Sequence, residues 1–187
     1  MRIGRMISPV HSLGPGERVC LWLQGCPRRC PGCISPELQP EEGPQVSTAA
    51  LAKILTETAR RNGCTGLTVS GGDPFAQPEE LERLLALVRG EFQDILIYTG
   101  FTLPQLRQAG FDRCLGLIDV LIDGPYIHER NFPDCVLRGS DNQIIHYLNP
   151  ALAPVYEAYL RQGRVLESFS HNGAVILTGI VNRRDDP

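Results

Sequence analysis

The sequence predicts an α/β fold on a parallel sheet, and three observations carry that expectation. Short β-rich runs alternate with runs of helical periodicity between residues 48 and 123. A polar motif follows each of the first four predicted strands. The chain, at 187 residues, is long enough for one domain with a substantial core and short for two, so a single domain over 1–187 is expected.

Taken in order, "RVCLWLQ" (18–24) reads as the first strand and runs straight into three cysteines. Residues 34–46, rich in Pro, Glu and Gly, read as a loop. "STAALAKILTETARRNG" places Leu51, Ile54, Leu55 and Ala59 on one helical face, with Ser47 as N-cap and Gly63 as the stop. "GLTVS" (66–70) is the second strand. "QPEELERLLALVRG" is a helix with Pro78 in its first turn, a stripe of Leu81, Leu84, Leu85 and Val88, and Gly90 at its close. "DILIYT" (94–99) is a buried strand, "FTLPQLRQAG" a short helix capped by Thr102, and "GLIDVLID" (116–123) the next strand. "NQIIHYL" (142–148) is expected as a fifth strand. In the extension from about 150 to 187, "PALAPVYEAYLRQ" is a helix that Pro154 weakens or shortens. "RVLESFSHNGAVILTGIV" then gives two β-rich runs around Asn172–Gly173, the signal of a β-hairpin.

Composition narrows the function. With 42% hydrophobic and 21% charged residues and a net charge of −3, a general nucleic-acid or membrane-surface role is disfavoured. The pairs Arg28–Arg29 and Arg60–Arg61 are too short to change that. No stretch resembles a secretory signal, and none approaches the roughly 20 apolar residues of a membrane span. A cytoplasmic location is expected, where thiols stay reduced, and seven cysteines is an odd number for a disulfide framework. Clustered cysteines then read as metal ligands or redox groups.

The unusual residues fall at the strand ends. The cysteine loop (25–36) follows the first strand, "SGGDP" (70–74) the second, "YTG" (98–100) the third and "DGP" (123–125) the fourth. Singly, the last three could be ordinary turns. Together they sit at the carboxyl edge of a predicted parallel sheet, where ligands and chemistry collect. Cys26, Cys30 and Cys33 have a Cys-x3-Cys-x2-Cys spacing on a loop of Pro and Gly that suits zinc or an iron–sulfur cluster. Structural zinc needs a fourth ligand, for which Cys20 and His11 are nearby, but no second cysteine pair exists. Cys64, Cys114 and Cys135 are scattered and read as buried, inert thiols. The simplest account is a four-iron cluster with three protein thiolates and one iron left for another ligand.

The ordered set "QGCPRRCPGCISPE", "SGGDPF", "DVLIDGPY" and "RGSDNQ" resembles the radical S-adenosylmethionine (SAM) superfamily. Within it, the set is most similar to activating enzymes of glycyl-radical proteins, and there to the group that activates anaerobic ribonucleotide reductase. The resemblance implies a 4Fe–4S cluster on Cys26, Cys30 and Cys33, with the open iron chelated by the methionine part of SAM. Reductive cleavage of SAM then gives a 5′-deoxyadenosyl radical that removes a hydrogen atom from a glycine of a partner enzyme. It further implies that Gly71 and Gly72 allow close approach to methionine and that Asp73 accepts from its ammonium. Gly32 and Ile34 would meet adenine. Asp123 matches an acid near SAM, Arg138 and Asn142 fall in the Arg-Gly-Ser stretch, and Thr99 is a further candidate. An external one-electron donor, flavodoxin- or ferredoxin-like, completes the set of partners. His11, His128, His146 and His171 match no pattern.

The resemblance, with a length below the ~250 residues of a closed barrel, implies a partial (β/α) barrel of five to six parallel strands. Two rivals remain open: a radical SAM enzyme acting on a small molecule or peptide, and a non-enzymatic zinc or iron–sulfur module.

Overall fold

The computed structural model describes residues 1–171 and 174–181. A six-stranded sheet runs in the spatial order β1 (Ile3–Val10), β2 (Arg18–Leu23), β3 (Gly66–Gly71), β4 (Asp94–Tyr98), β5 (Val120–Asp123) and β6 (Ile144–Tyr147). Strands β2 to β5 are parallel to one another, while β1 and β6 pair antiparallel at the two edges. The parallel set is therefore four strands, not five to six. Strand β6 returns from β5 through residues 124–143 with only a 3₁₀ turn at His128–Arg130, and lacks the helical crossover that a parallel neighbour needs. Strand β1 has no clean alternation; half-exposed along most of its length, with Gly4 and Pro9 inside it, it gives the sequence reader little to find.

Helices α1 (Thr48–Asn62), α2 (Pro78–Val88) and α3 (Leu103–Gln108) stand where periodicity placed them. The Ser47 side chain accepts from Ala50 N, and Gly63 ends α1 at φ 68°, a left-handed conformation that suits glycine. Thr102 and Gln105 form a full capping box on α3. Ile54 departs from its predicted burial and is 42% exposed, Ala52 taking the inward place beside Leu51, Leu55 and Ala59. A short helix α4 (Asp112–Leu115) was not anticipated, and it shortens the strand expected over 116–123 to 120–123. Helix α5 (Ala153–Leu160) begins with Pro154 in its first turn, where the missing N–H costs nothing. Strands β7 (Leu166–His171) and β8 (Ala174–Gly179) pair antiparallel as a separate two-stranded sheet. The turn expected at Asn172–Gly173 lies outside the described residues.

The pleat sorts the sheet into two faces. Val19, Leu21, Leu23, Leu67, Val69, Ile95, Ile97 and Leu121 pack with the stripes of α1 to α4 in the main core. Complete burial of each such side chain contributes about 1.5–3 kcal/mol. The intervening residues face the other way: Cys20 and Trp22 meet Leu13 and Leu38, with Tyr98, Phe169 and Ile180 packed against them. Leu96, Val120 and Ile122 meet Tyr156 and Tyr159 of α5. At the amino ends of the strands a fully buried Arg18 bonds Asp94 Oδ2 at 2.5 Å, Thr68 Oγ1 at 2.6 Å and Leu67 O at 2.8 Å, and Tyr156 donates to Asp94 Oδ2 at 2.8 Å. A buried ion pair with every partner supplied locks the end of the sheet remote from the motifs.

Candidate functional site: a thiol-lined cavity at the carboxyl edge of the sheet

Three left-handed residues wind the cysteine loop: Gly25 at φ 100°, Arg29 at 47° and Gly32 at 74°. Burial pushes the Cys26 thiol above its ordinary pKa, and the backbone of Arg28 and Arg29 pulls against the shift. The chain leaving the loop is held back along its start, with Gly25 N donating to Leu38 O and Cys26 N to Gln39 O at 2.9 and 3.0 Å. Gln24 Nε2 adds bonds to Glu37 O and Pro40 O.

The next motif docks on the root of this loop through its two glycines. A Cβ on Gly71 would stand 2.3 Å from Leu23 N, and one on Gly72 only 2.1 Å from Gly25 O. Both are backbone clashes that no rotamer change relieves. The closeness permits Gly72 N to donate to Leu23 O and Asp73 N to Gly25 O, each at 2.8 Å. Asp73 is 1% exposed. Its Oδ1 accepts from Phe75 N at 3.0 Å and Thr99 Oγ1 at 2.9 Å, and its Oδ2 from Gly100 N at 2.9 Å. Burial raises the Asp73 carboxyl pKa, against the pull of these bonds and of the Arg28 charge. Each carboxylate oxygen takes two hydrogen bonds, so Oδ2 retains one acceptor site.

These parts surround one cavity of about 500 Å³. Cys26, Cys30, Cys33, Gly32, Ile34, Gly71, Gly72, Asp73 and Thr99 all line it. Trp22, Ser70 and Tyr98 line it as well, because the pleat turns these residues near the carboxyl ends of β2, β3 and β4 to that side. Ile34 is 65% exposed and half-buried thiols flank it, whereas Cys20, Cys64, Cys114 and Cys135 are buried. Burial pushes Cys20 up to about 12, and His11 bonds Glu167 at 3.0 Å; neither proposed fourth zinc ligand lines the cavity. Among the described residues no three His, Cys, Asp or Glu side chains are gathered to hold a single metal ion. A four-iron cluster binds each thiolate through a different iron, so its ligands surround it instead of converging on a point. Three half-exposed thiols on one cavity wall fit that requirement.

Three other predicted residues stand outside the lining. Asp123 follows Leu121 in the pleat and so faces the helices; its Oδ2 caps α3 by accepting from Leu103 N at 2.6 Å and lies 2.9 Å from His146 Nε2. Arg138 donates weakly to Asp141 O and Gln143 O, and Asn142 donates to Pro125 O at 2.8 Å. The "RGSDNQ" stretch is a clasp on the "DGP" turn: Gln143, which does line the cavity, accepts from Gly139 N at 2.7 Å and donates to Gly124 O at 2.9 Å. Sequence reading missed Arg28, whose guanidinium lies 4.4 Å over the Phe101 ring and whose Nε has no hydrogen-bond partner among the described residues. It expected strand β8 but not its place at the site, where Val175 to Gly179 line the cavity.

A parallel α/β sheet carrying three cavity-facing cysteines beyond its first parallel strand defines an iron–sulfur class of protein. In agreement, a family model described as "4Fe-4S single cluster domain" matches residues 12–146. The chain is 34% identical over 142 residues to the anaerobic ribonucleoside-triphosphate reductase-activating protein of Escherichia coli (strain K12), covering 72% of this chain and 91% of the relative. The proteins of the same name from Enterobacteria phage T4 and Vibrio cholerae serotype O1 are each 36% identical, over 135 and 140 residues. Those matches cover 70% and 71% of this chain, and 83% and 89% of the relatives. The chain belongs to the family of anaerobic ribonucleoside-triphosphate reductase-activating proteins, within the 4Fe-4S single cluster domains. Among the described residues no helix is long and apolar enough to cross a membrane.

Proposed function

We propose that the chain is a radical SAM activating enzyme. It reductively cleaves SAM at a 4Fe–4S cluster and places a glycyl radical on an anaerobic ribonucleotide reductase, with a flavodoxin- or ferredoxin-like protein as electron donor. The observation that carries this reading is the convergence of Cys26, Cys30 and Cys33 with Gly71, Gly72 and Asp73 on one cavity. When bound, the cluster supplies the electron and SAM the carbon centre that takes a hydrogen atom from glycine.

The chain's own residues bind, orient and exclude water. Cys26, Cys30 and Cys33 would hold the cluster through three thiolates, with one iron left for SAM. Asp73 would offer its remaining Oδ2 site to an N–H of the SAM amino group, a bond assisted by the carboxylate charge. Thr99 fixes that carboxylate by donating to Oδ1. Gly71 and Gly72 leave the turn without side chains, so the ligand meets backbone. Gly32 and Ile34 border the adenine. Trp22 and Tyr98 make the inner wall apolar, which strengthens the charge interactions within. Asp123 and Arg138 support from behind, the first by fixing the start of α3 and the second by closing the clasp on Gly124. One domain over 1–187, in the form of a partial (β/α) barrel, leaves the cavity open to a macromolecule.

The test mixes anaerobically reconstituted protein, SAM, dithionite and the reductase. A glycyl-radical doublet in the electron paramagnetic resonance (EPR) spectrum of the reductase is the expected result. 5′-Deoxyadenosine formed only with a small molecule would favour the small-molecule reading, and one tightly held zinc without iron or sulfide the non-enzymatic one.

A further inference from the structure

The family model spans residues 12–146, and the hairpin β7–β8 lies wholly beyond that match. Yet this hairpin forms part of the thiol-lined cavity. Ile176, Thr178 and Ile180 alternate inward as half-buried or buried residues, while Val175 and Leu177 between them are 68% and 60% exposed. Ile180 and Phe169 pack against the cluster that contains Trp22 and Leu13, so the hairpin covers the sheet face opposite the helices.

The hydrogen bonds that fasten the hairpin among the described residues lie at its base, while Phe169, paired with Ile176, packs its middle against the sheet. Glu167 accepts from His11 N and Ser12 N, both at 2.8 Å, and Ser12 Oγ bonds Thr178 Oγ1 at 2.9 Å. Asn131 Nδ2 donates to Val181 O at 3.0 Å, and Arg164 Nη2 donates to Asn131 Oδ1 at 2.6 Å. Gly179, at φ 113°, permits the closest approach; a Cβ there would meet Val165 O at 2.3 Å. Every one of these hydrogen bonds holds one end of the hairpin, and Ile176 lies beyond them, opposite Phe169.

We infer that β8 is a wall of the catalytic cavity supplied by a segment outside the matched domain, and that Ile176 is its specificity-determining residue. The wall keeps solvent and bulky molecules from the thiols and what they carry, so SAM cleavage proceeds productively only when an extended, glycine-bearing segment fills the remaining space. The role in coupling rests on the function proposed above; the existence of the wall does not. Water exclusion is the physical need it meets, since a reactive carbon centre is lost to any neighbouring hydrogen source.

Two measurements test this. In the metal-free chain, alkylation of Cys26, Cys30 and Cys33 is followed by peptide mass mapping with iodoacetamide and with a bulky fluorescent maleimide. Ile176→Ala should react severalfold faster with the maleimide and unchanged with iodoacetamide, and Ile176→Phe should react more slowly with the maleimide. Leu166→Ala, exposed on β7 and outside the lining, should match wild type. Cys20, Cys64, Cys114 and Cys135 are buried, and their continued resistance reports that each variant is folded. In the reconstituted protein with SAM, dithionite and reductase, Ile176→Ala should form severalfold fewer glycyl radicals per methionine released. Equal maleimide rates across the series overturn the wall. A raised maleimide rate with an unchanged radical-to-methionine ratio overturns its coupling role. A wild-type chain that releases no methionine instead refutes the proposed function, and the alkylation contrast still decides the wall.

Discussion

Asp73 and the three cysteines share one cavity but answer to different physics, and substitution separates them. Cys30→Ala removes a proposed cluster ligand, so iron content after reconstitution and SAM cleavage should both be lost. Asp73→Ala leaves the ligands in place; iron content should stay near wild type while SAM affinity falls about tenfold or more, since a hydrogen bond to a charged group contributes about 1.5–3 kcal/mol. Normal SAM binding by Asp73→Ala would remove this carboxylate from the site. The cysteines were readable because their spacing is unusual in itself. Asp123 was placed with them by motif, and the pleat explains its actual position: it follows Leu121 in parity, and Leu121 belongs to the helix-facing core. Residue parity along β5 was the available signal. Arg28 gave no signal, since nothing in "CPRRC" separates a guanidinium stacked on Phe101 from its exposed neighbour Arg29.

Among the elements, those with their own start and stop chemistry were the legible ones. Helices α1 and α3 carry Ser47 and Thr102 as working caps, and α2 carries Pro78, so their starts followed from composition alone. Strand β1 and helix α4 exist through tertiary contacts: β1 through its pairing with β2, and α4 through Cys114 and Leu115 in the core. No local pattern announces such elements. The hairpin's strands were expected, but not that Glu167 would clamp them to His11 and Ser12. The Glu167 pKa is lowered below its ordinary value, the donated bonds outweighing the burial that opposes them. A depressed carboxyl pKa means that the folded chain binds fewer protons than the unfolded chain near the ordinary carboxylate range. The clamp is therefore complete above that range and fades as pH falls through the lowered value. Hydrogen exchange should show β7–β8 amides losing protection in acid before the sheet amides do. Glu167→Gln should lower that protection already at pH 7, and equal protection in the variant would show that the clamp is idle.

The whole molecule divides its labour between the two ends of the parallel strands. At the amino ends Arg18, Asp94, Thr68 and Tyr156 make a closed, fully bonded network. At the carboxyl ends the same strands open onto a cavity with unfilled acceptors and free thiols. The division into helices and parallel strands was legible because their periods differ, whereas the antiparallel edges were not, since strand direction depends on connections that carry no period. The proposed function requires one iron left open beside three thiolates, with an acceptor for the SAM amino group nearby. Its sharpest check is the EPR spectrum of the anaerobically reconstituted, dithionite-reduced protein as SAM is added. A protein holding four irons per chain should show a saturable change in the cluster signal, weakened in Asp73→Ala. Four irons with a spectrum indifferent to SAM would contradict the account.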